Sequence, residues 1–188
     1  AGGVIYPNVL LDCGGICMNW RNLLIGLTVF GSVGGYLYDK AGQFESESWT
    51  EYEHDRYTVS FPTAETPTGL PGDELTGMWV IWRDHAYTAG WMAETRQNQD
   101  ARDEDVLKGL TGLREESLAV KSSNMHTYEG LSAFDFELAS REDGSGKFER
   151  YLRKGDRMYF LWVTAYDGQP LDTSSPEIQK FLASFHAR

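Results

Sequence analysis

Four histidines, two cysteines and several clustered acids are the side chains of this 188-residue chain suited to proton transfer, metal binding or redox chemistry. Glu53-His54-Asp55 sets three ligand types in a row. Consecutive side chains point apart, so this reads as a turn and not as a metal site. Asp84-His85 falls at a hairpin and reads the same way. His126 and His186 stand alone. There is no His-x-x-x-His, no Cys-x-x-Cys and no Gly-x-Ser-x-Gly elbow, and a hydroxyl without its base is not a nucleophile. Cys13 and Cys17 form a C-x3-C pair with no second pair to complete four ligands. Asp100, Asp103, Glu104 and Asp105 lack the oxygen register of a calcium loop and read as helix capping and solvation. The expectation is therefore no catalytic residue, no metal and no cofactor.

The tryptophans carry more information. Trp79, Trp82, Trp91 and Trp162 fall on the stretches expected to be central strands. One reading makes them core. The other has some of them line a cleft between the sheet and the Pro62–Asp73 loop, where large amphipathic rings serve binding.

The formal net charge is −11, and 41 % of residues are hydrophobic. Before Glu45 two acids (Asp12, Asp39) balance two bases (Arg21, Lys40), so the imbalance belongs to the remainder of the chain. Such a field repels phosphate, which excludes nucleic acid as a partner. No cysteine follows Cys17, so packing alone holds the domain together.

Met18-Asn19-Trp20-Arg21 precedes an apolar run from Leu23 to Tyr38, and this order of charge and hydropathy marks an export signal or a membrane anchor. Residues 1–17 contain no Lys or Arg and read as an upstream extension, with Met18 as the start. Residues 18–39 form the signal segment, whose apolar side chains include Leu23, Leu24, Ile25, Leu27, Val29, Phe30, Val33 and Leu37. At about 1.5 Å per residue the run spans roughly 24 Å. Aromatic residues at its ends extend its membrane contact over residues 20–38. No Ala-x-Ala site follows, which favours an uncleaved anchor over a cleaved signal. With Arg21 inside, the domain lies outside the cytoplasm, periplasmic or extracellular, and it is secreted if the signal is cleaved. Gly31 and Gly35 have the spacing that allows weak self-association of membrane helices. Residues 40–48 are a polar spacer, and 49–188 are the domain.

Within that domain, Trp49–Glu53 and Tyr57–Phe61 read as strands. The second places Tyr57, Val59 and Phe61 on one face. Residues 62–74 are loop by their Pro and Gly content. Leu75–Trp82 and Tyr87–Met92 are strands separated by Arg83-Asp84-His85-Ala86, and the first is apolar on both faces, as a covered central strand is. Asp100 caps a helix from Ala101, with Asp103 in capping-box position and Val106, Leu107, Leu110 and Leu113 forming its stripe. Gly109 and Gly112 are expected to permit its close packing on the sheet. Strands follow over Ser122–Glu129, Leu131–Ala139, Lys147–Arg153 and Met158–Tyr166. In the hairpin around Glu142–Gly146, residue numbers summing to 288 would place Asp135 opposite Arg153 and Phe136 opposite Leu152. Ser175 and Pro176 start a last helix whose stripe is Ile178, Phe181, Leu182 and Phe185. The fold class is α+β, a three-layer α/β/α sandwich with a largely antiparallel central sheet, preceded by an N-terminal membrane segment.

Four segments carry a resemblance. They are Trp49-Thr50-Glu51-Tyr52, Tyr57-Thr58-Val59-Ser60-Phe61-Pro62, Arg157-Met158-Tyr159-Phe160-Leu161-Trp162-Val163, and the ending from Ser175 to Phe185. Together with a helix before the β-meander, this pattern resembles the PsbP-like sandwich proteins, and within them exported or membrane-anchored bacterial domains. The resemblance spans roughly Trp49 to Phe185 and rests mainly on core positions. It implies the fold more strongly than a function. Better-known members, accessory subunits of photosystem II and a Ran-binding import factor, are binding proteins and not enzymes. No segment carries either partner's recognition motif.

The reading that results is a non-catalytic, membrane-tethered, extracytoplasmic interaction or accessory domain with an unknown protein partner. The alternatives are a small-ligand carrier with a pocket beside the Pro62–Asp73 loop and, behind it, a hydrolase.

Overall fold

The chain's architecture comes from a computed structural model, which describes residues 49–63, 66–70, 76–94 and 99–188. The extension 1–17, the segment 18–39 with its apolar residues and Gly31 and Gly35, and the spacer 40–48 lie outside the described residues. So do 64–65 and 71–73 of the proline-rich loop. Among the described residues no helix is long and apolar enough to cross a membrane.

The strands are β1 (Thr50–Glu53), β2 (Tyr57–Phe61), β3 (Thr68–Gly69), β4 (Thr76–Trp82), β5 (His85–Ala93), β6 (Leu118–Tyr128), β7 (Leu131–Ser140), β8 (Gly146–Lys154), β9 (Arg157–Ala165) and β10 (His186–Ala187). The helices among the described residues are α1 (Asp103–Ser117) and α2 (Pro176–Ala183). Seven strands form one antiparallel sheet in the order β3-β4-β5-β9-β8-β7-β6. The opening strands do not join it. β1, β2 and β10 make a separate three-stranded sheet, which shares one face of the large sheet with α2. α1 covers the other face. The fold is α+β.

β9 lies in the middle and is buried on both sides. Tyr159, Leu161 and Val163 face α2, while Met158, Phe160 and Trp162 face α1. Each fully buried side chain of this kind contributes about 1.5–3 kcal/mol. The α2 layer is built by β2 and the last helix. Tyr57, Val59 and Phe61 alternate inward, and Ile178, Phe181, Leu182 and Phe185 meet them. Ser175 Oγ accepts from the Ile178 N–H at 3.4 Å, with Pro176 at the first helical position.

Besides the separate β1-β2-β10 sheet, four details differ from the sequence expectation. α1 begins at Asp103 and not at Ala101, and Arg102 occupies the cap position without a side-chain cap. The Asp103 carboxylate is engaged elsewhere: it accepts from Ser132 Oγ and from Arg153 Nη1. Among the described residues, β4 is well covered on one face only. Trp79 and Ile81 are half-buried, because α1 lies over the β6-to-β9 half of the sheet and does not reach β4. A Cβ on Gly112 would meet open space, so this glycine is not a packing contact; the glycines that permit close approach are Gly77 and Gly90. They pair with each other, and a Cβ on Gly90 would lie 2.5 Å from the Phe160 ring.

The fourth difference is register. Residue numbers in the β7–β8 hairpin sum to 285, so Asp135 faces Arg150, Phe136 faces Glu149, and Arg153 faces Ser132. The loop chemistry fixes this. Asp143 accepts from the Ser145 N–H at 3.0 Å and from Ser145 Oγ at 2.7 Å, and Gly144 takes φ 79°. The Ser140 N–H then reaches Ser145 O at 2.8 Å, which closes the loop. An odd sum reverses the facing of β8 relative to β7. It sends Lys147, Glu149 and Tyr151 under α1 and leaves Phe148 and Leu152 facing α2.

Candidate functional site

α1 carries Val106, Leu110 and Leu113 on its sheet-facing stripe, and Arg114 one turn after Leu110. Helical spacing therefore drives a guanidinium into the sheet, where it is 1 % exposed. Beneath it lies Glu149 of β8, fully buried. Arg114 Nε donates to Glu149 Oε2 at 2.5 Å, and Arg114 Nη2 donates to the Tyr151 hydroxyl. That hydroxyl donates in turn to Glu149 Oε2 at 2.8 Å and accepts from Trp162 Nε1 at 3.1 Å. Lys147 Nζ stands 2.6 Å from Glu149 Oε1, a close ion pair, and 4.9 Å from the Trp162 ring centre.

Two cations thus share one carboxylate. Burial alone would push the Glu149 carboxyl up; Arg114 and Lys147 outweigh it and hold it down at about 2. Lys147 is lowered, chiefly by burial, with Glu149 opposing. Tyr151 is raised, chiefly by burial, and stays a hydroxyl. Chemically the cluster is a clamp between α1 and β8. Its charged groups face one another under the helix, and Arg114 Nη1 is buried there without a hydrogen-bond partner among the described residues.

Other ion pairs tie down the surface. At the start of α1, Arg153 reaches Glu94 Oε2 at 3.3 Å, Asp103 Oδ1 at 2.9 Å, and the carbonyls of Ala101 and Gln99. Burial raises the Glu94 carboxyl more than Arg153 lowers it. On the α2 face, Arg150 grips Asp135 with two 2.8 Å bonds, and His126 Nε2 lies 3.0 Å from the same carboxylate. Tyr128 has its hydroxyl within 3.3 Å of the carbonyls of Leu182, Ala183 and Phe185, which pins the end of α2 to β6. The other histidines also lie against acids: His54 on Asp55, His85 on Asp84 and His186 on Glu129. Among the described residues no group of three His, Cys, Asp or Glu side chains is placed to hold a metal.

The four tryptophans do not gather. Trp82 and Trp91 face the α2 layer at opposite ends of the β4–β5 hairpin, opposite His85 and Thr76. Arg83 lies over the first ring at 4.1 Å and Arg56 over the second at 4.6 Å. Trp79 and Trp162 share the α1 side in one cross-strand row, with Thr88 between them. Trp162 is core and Trp79 is half-buried.

The open feature of the large sheet is its outer strand. β6 runs for 11 residues, and among the described residues only β7 pairs with it. It carries no acid. A bulge between Val120 and Ser122 interrupts its pairing at Lys121. Met125, 39 % exposed, is the one exposed large hydrophobic side chain among the described residues.

Among solved structures, the chain matches the solution structure of cyanobacterial PsbP from Synechocystis sp. PCC 6803 at TM-score 0.55 and 12 % identity, over 78 % of this chain and 96 % of that one. The fold is PsbP-like. A protein of unknown function from Pseudomonas aeruginosa matches at TM-score 0.39 and 13 % identity, over 62 % of this chain and 82 % of that one. No protein-family model and no curated protein matches the chain.

Two features of this PsbP-like domain escaped the sequence reading, the Arg114–Glu149 clamp and the open edge of β6. Arg114 lies four residues after Leu110, so a charge on the apolar stripe was the available signal for the first. The second depends on strand order, which periodicity does not encode.

Proposed function

We propose that the chain is a non-catalytic, membrane-tethered, extracytoplasmic interaction or accessory domain. The observation that carries this reading is β6, a long strand with one side unpaired among the described residues and an apolar side chain, Met125, displayed on it. Unpaired backbone groups on a sheet edge are ready to bond an added strand, and side chains alternating beside them supply selectivity. The tether is the Leu23–Tyr38 run, with Arg21 on its inner flank. An uncleaved anchor keeps the domain at the membrane, where a weak surface works at raised effective concentration. The buried ionisable groups support the same reading, since Arg114, Lys147 and Glu149 are engaged in holding α1 on the sheet.

The test is capture of the tagged full chain from detergent-solubilised native membranes. Membrane-fraction recovery with a protein partner, diminished by Ser123→Glu/Met125→Glu, is expected. Recovery of the chain alone with a bound small molecule overturns the reading in favour of a carrier.

A further inference from the structure

We propose that the partner strand on β6 is the β6 strand of a second copy of this chain, paired antiparallel about a twofold axis at Met125. The inference rests on the interaction reading above and names its partner.

The usable edge has two defined ends. The bulge at Lys121 breaks regular pairing on one side. On the other, Glu129 at φ 49° and Gly130 at φ 80° turn the chain away into β7. Between them lies Ser122–Tyr128, whose midpoint is Met125. Antiparallel pairing of this stretch with itself sets Ser122 opposite Tyr128, Ser123 opposite Thr127, Asn124 opposite His126, and Met125 opposite Met125. The exposed apolar side chain then sits on the axis and is covered by its own copy. No charge meets a like charge, because Lys121 lies beyond the bulge and the stretch holds no acid. In a chain of net charge −11, an acid-free edge is where two copies approach with least repulsion.

The symmetry also suits a tethered protein. A twofold axis relating neighbouring antiparallel strands of one sheet stands normal to that sheet, so the same face of both copies lies on the same side. β1, which follows Trp49, lies in the α2 layer. Both chains therefore join their spacers on one side, as two anchors in a single membrane require. A ladder of this length buries less than a standard interface of about 1,600 Å², so the pairing is weak in solution and gains from the tether. It strengthens with salt as the repulsion between acidic domains is screened.

The test uses the full chain in detergent micelles with Cys13→Ser and Cys17→Ser, carrying either Met125→Cys or Ser123→Cys. Residues directly opposite across antiparallel strands have Cα atoms about 4.5–5.5 Å apart, within the roughly 4.4–6.8 Å that a disulfide spans. The two Ser123 positions lie four residues apart along the ladder, roughly 13 Å, out of reach. Mild oxidation should cross-link Met125→Cys at least about tenfold faster than Ser123→Cys, a distance effect. Adding Gly31→Leu and Gly35→Leu should leave that ratio unchanged. Equal rates at the two positions overturn the self-pairing, as does a 125-to-123 ratio that collapses when Gly31 and Gly35 are replaced. Capture of a different protein that is lost with Met125→Glu, without cross-linking at 125, overturns the self-pairing and leaves the interaction reading standing.

Discussion

Arg114 Nε lies 2.5 Å from Glu149 Oε2, across the interface between the last turn of α1 and the middle of β8. The pair joins a helix to a sheet at a place where both groups are out of water. Such a pair costs desolvation of both charges, so its presence adds little net stability while its disruption costs much.

Removing one partner should therefore be severe. Arg114→Met leaves Glu149 with Lys147 alone and should destabilise the fold by about 3–5 kcal/mol. Replacing Arg114, Lys147 and Glu149 together with apolar residues of similar volume should recover most of that loss. Urea denaturation of the three variants measures it. A loss under 1 kcal/mol for the single variant would show that the clamp is dispensable.

The same carboxylate predicts acid sensitivity. Glu149 titrates near 2 when folded and near 4.5 otherwise. Its folded pKa is depressed, so its stabilisation is present above about 4.5 and is lost as pH falls toward 2, an effect on the order of 3 kcal/mol. Lys147, lowered by burial, has the same sign at alkaline pH: its penalty is relieved and stability rises as pH rises toward 10.5. Stability measured from pH 5 to pH 2 should fall less steeply for Glu149→Gln than for the parent.

The hairpin register is open to a coupling measurement. A double-mutant cycle between Asp135 and Arg150 should give about 1 kcal/mol or more, and the cycle between Asp135 and Arg153 close to zero. The reverse ranking would restore the three-residue shift.

The glycines divide in sign. Gly90→Ala forces a methyl against Phe160 and against the Thr76 carbonyl at 2.5 Å, and should destabilise by about 1–3 kcal/mol as overpacking does. Gly112→Ala meets nothing and should stabilise α1 by up to about 1 kcal/mol. Thermal melts of the two variants should move in opposite directions.

Local chemistry was readable where side chains act on their own neighbours. The alternation of Tyr57, Val59 and Phe61, the Ser175-Pro176 helix start and the two-faced burial of β9 follow from period and capping alone. The α+β class followed with them, and the PsbP-like fold was implied by the resemblance of the Trp49–Tyr52, Tyr57–Pro62, Arg157–Val163 and Ser175–Phe185 segments. The β7–β8 register did not, because it depends on how Asp143 folds the loop onto Ser145. The separation of β1 and β2 from the large sheet did not either, since the same alternation serves a strand in either layer. Asp103 looks like a capping residue until Arg153 and Ser132, distant in sequence, arrive beside it. The candidate site was hidden for the same reason: tryptophans drew attention by type, while β6 is distinguished by its position at the end of a sheet.

Hydrogen–deuterium exchange on the full chain, captured with its partner from solubilised native membranes and again after dissociation, tests the central claim most directly. Binding through the open edge predicts slowed exchange concentrated in Ser122–Tyr128. Slowing elsewhere, with those amides unchanged, would contradict it.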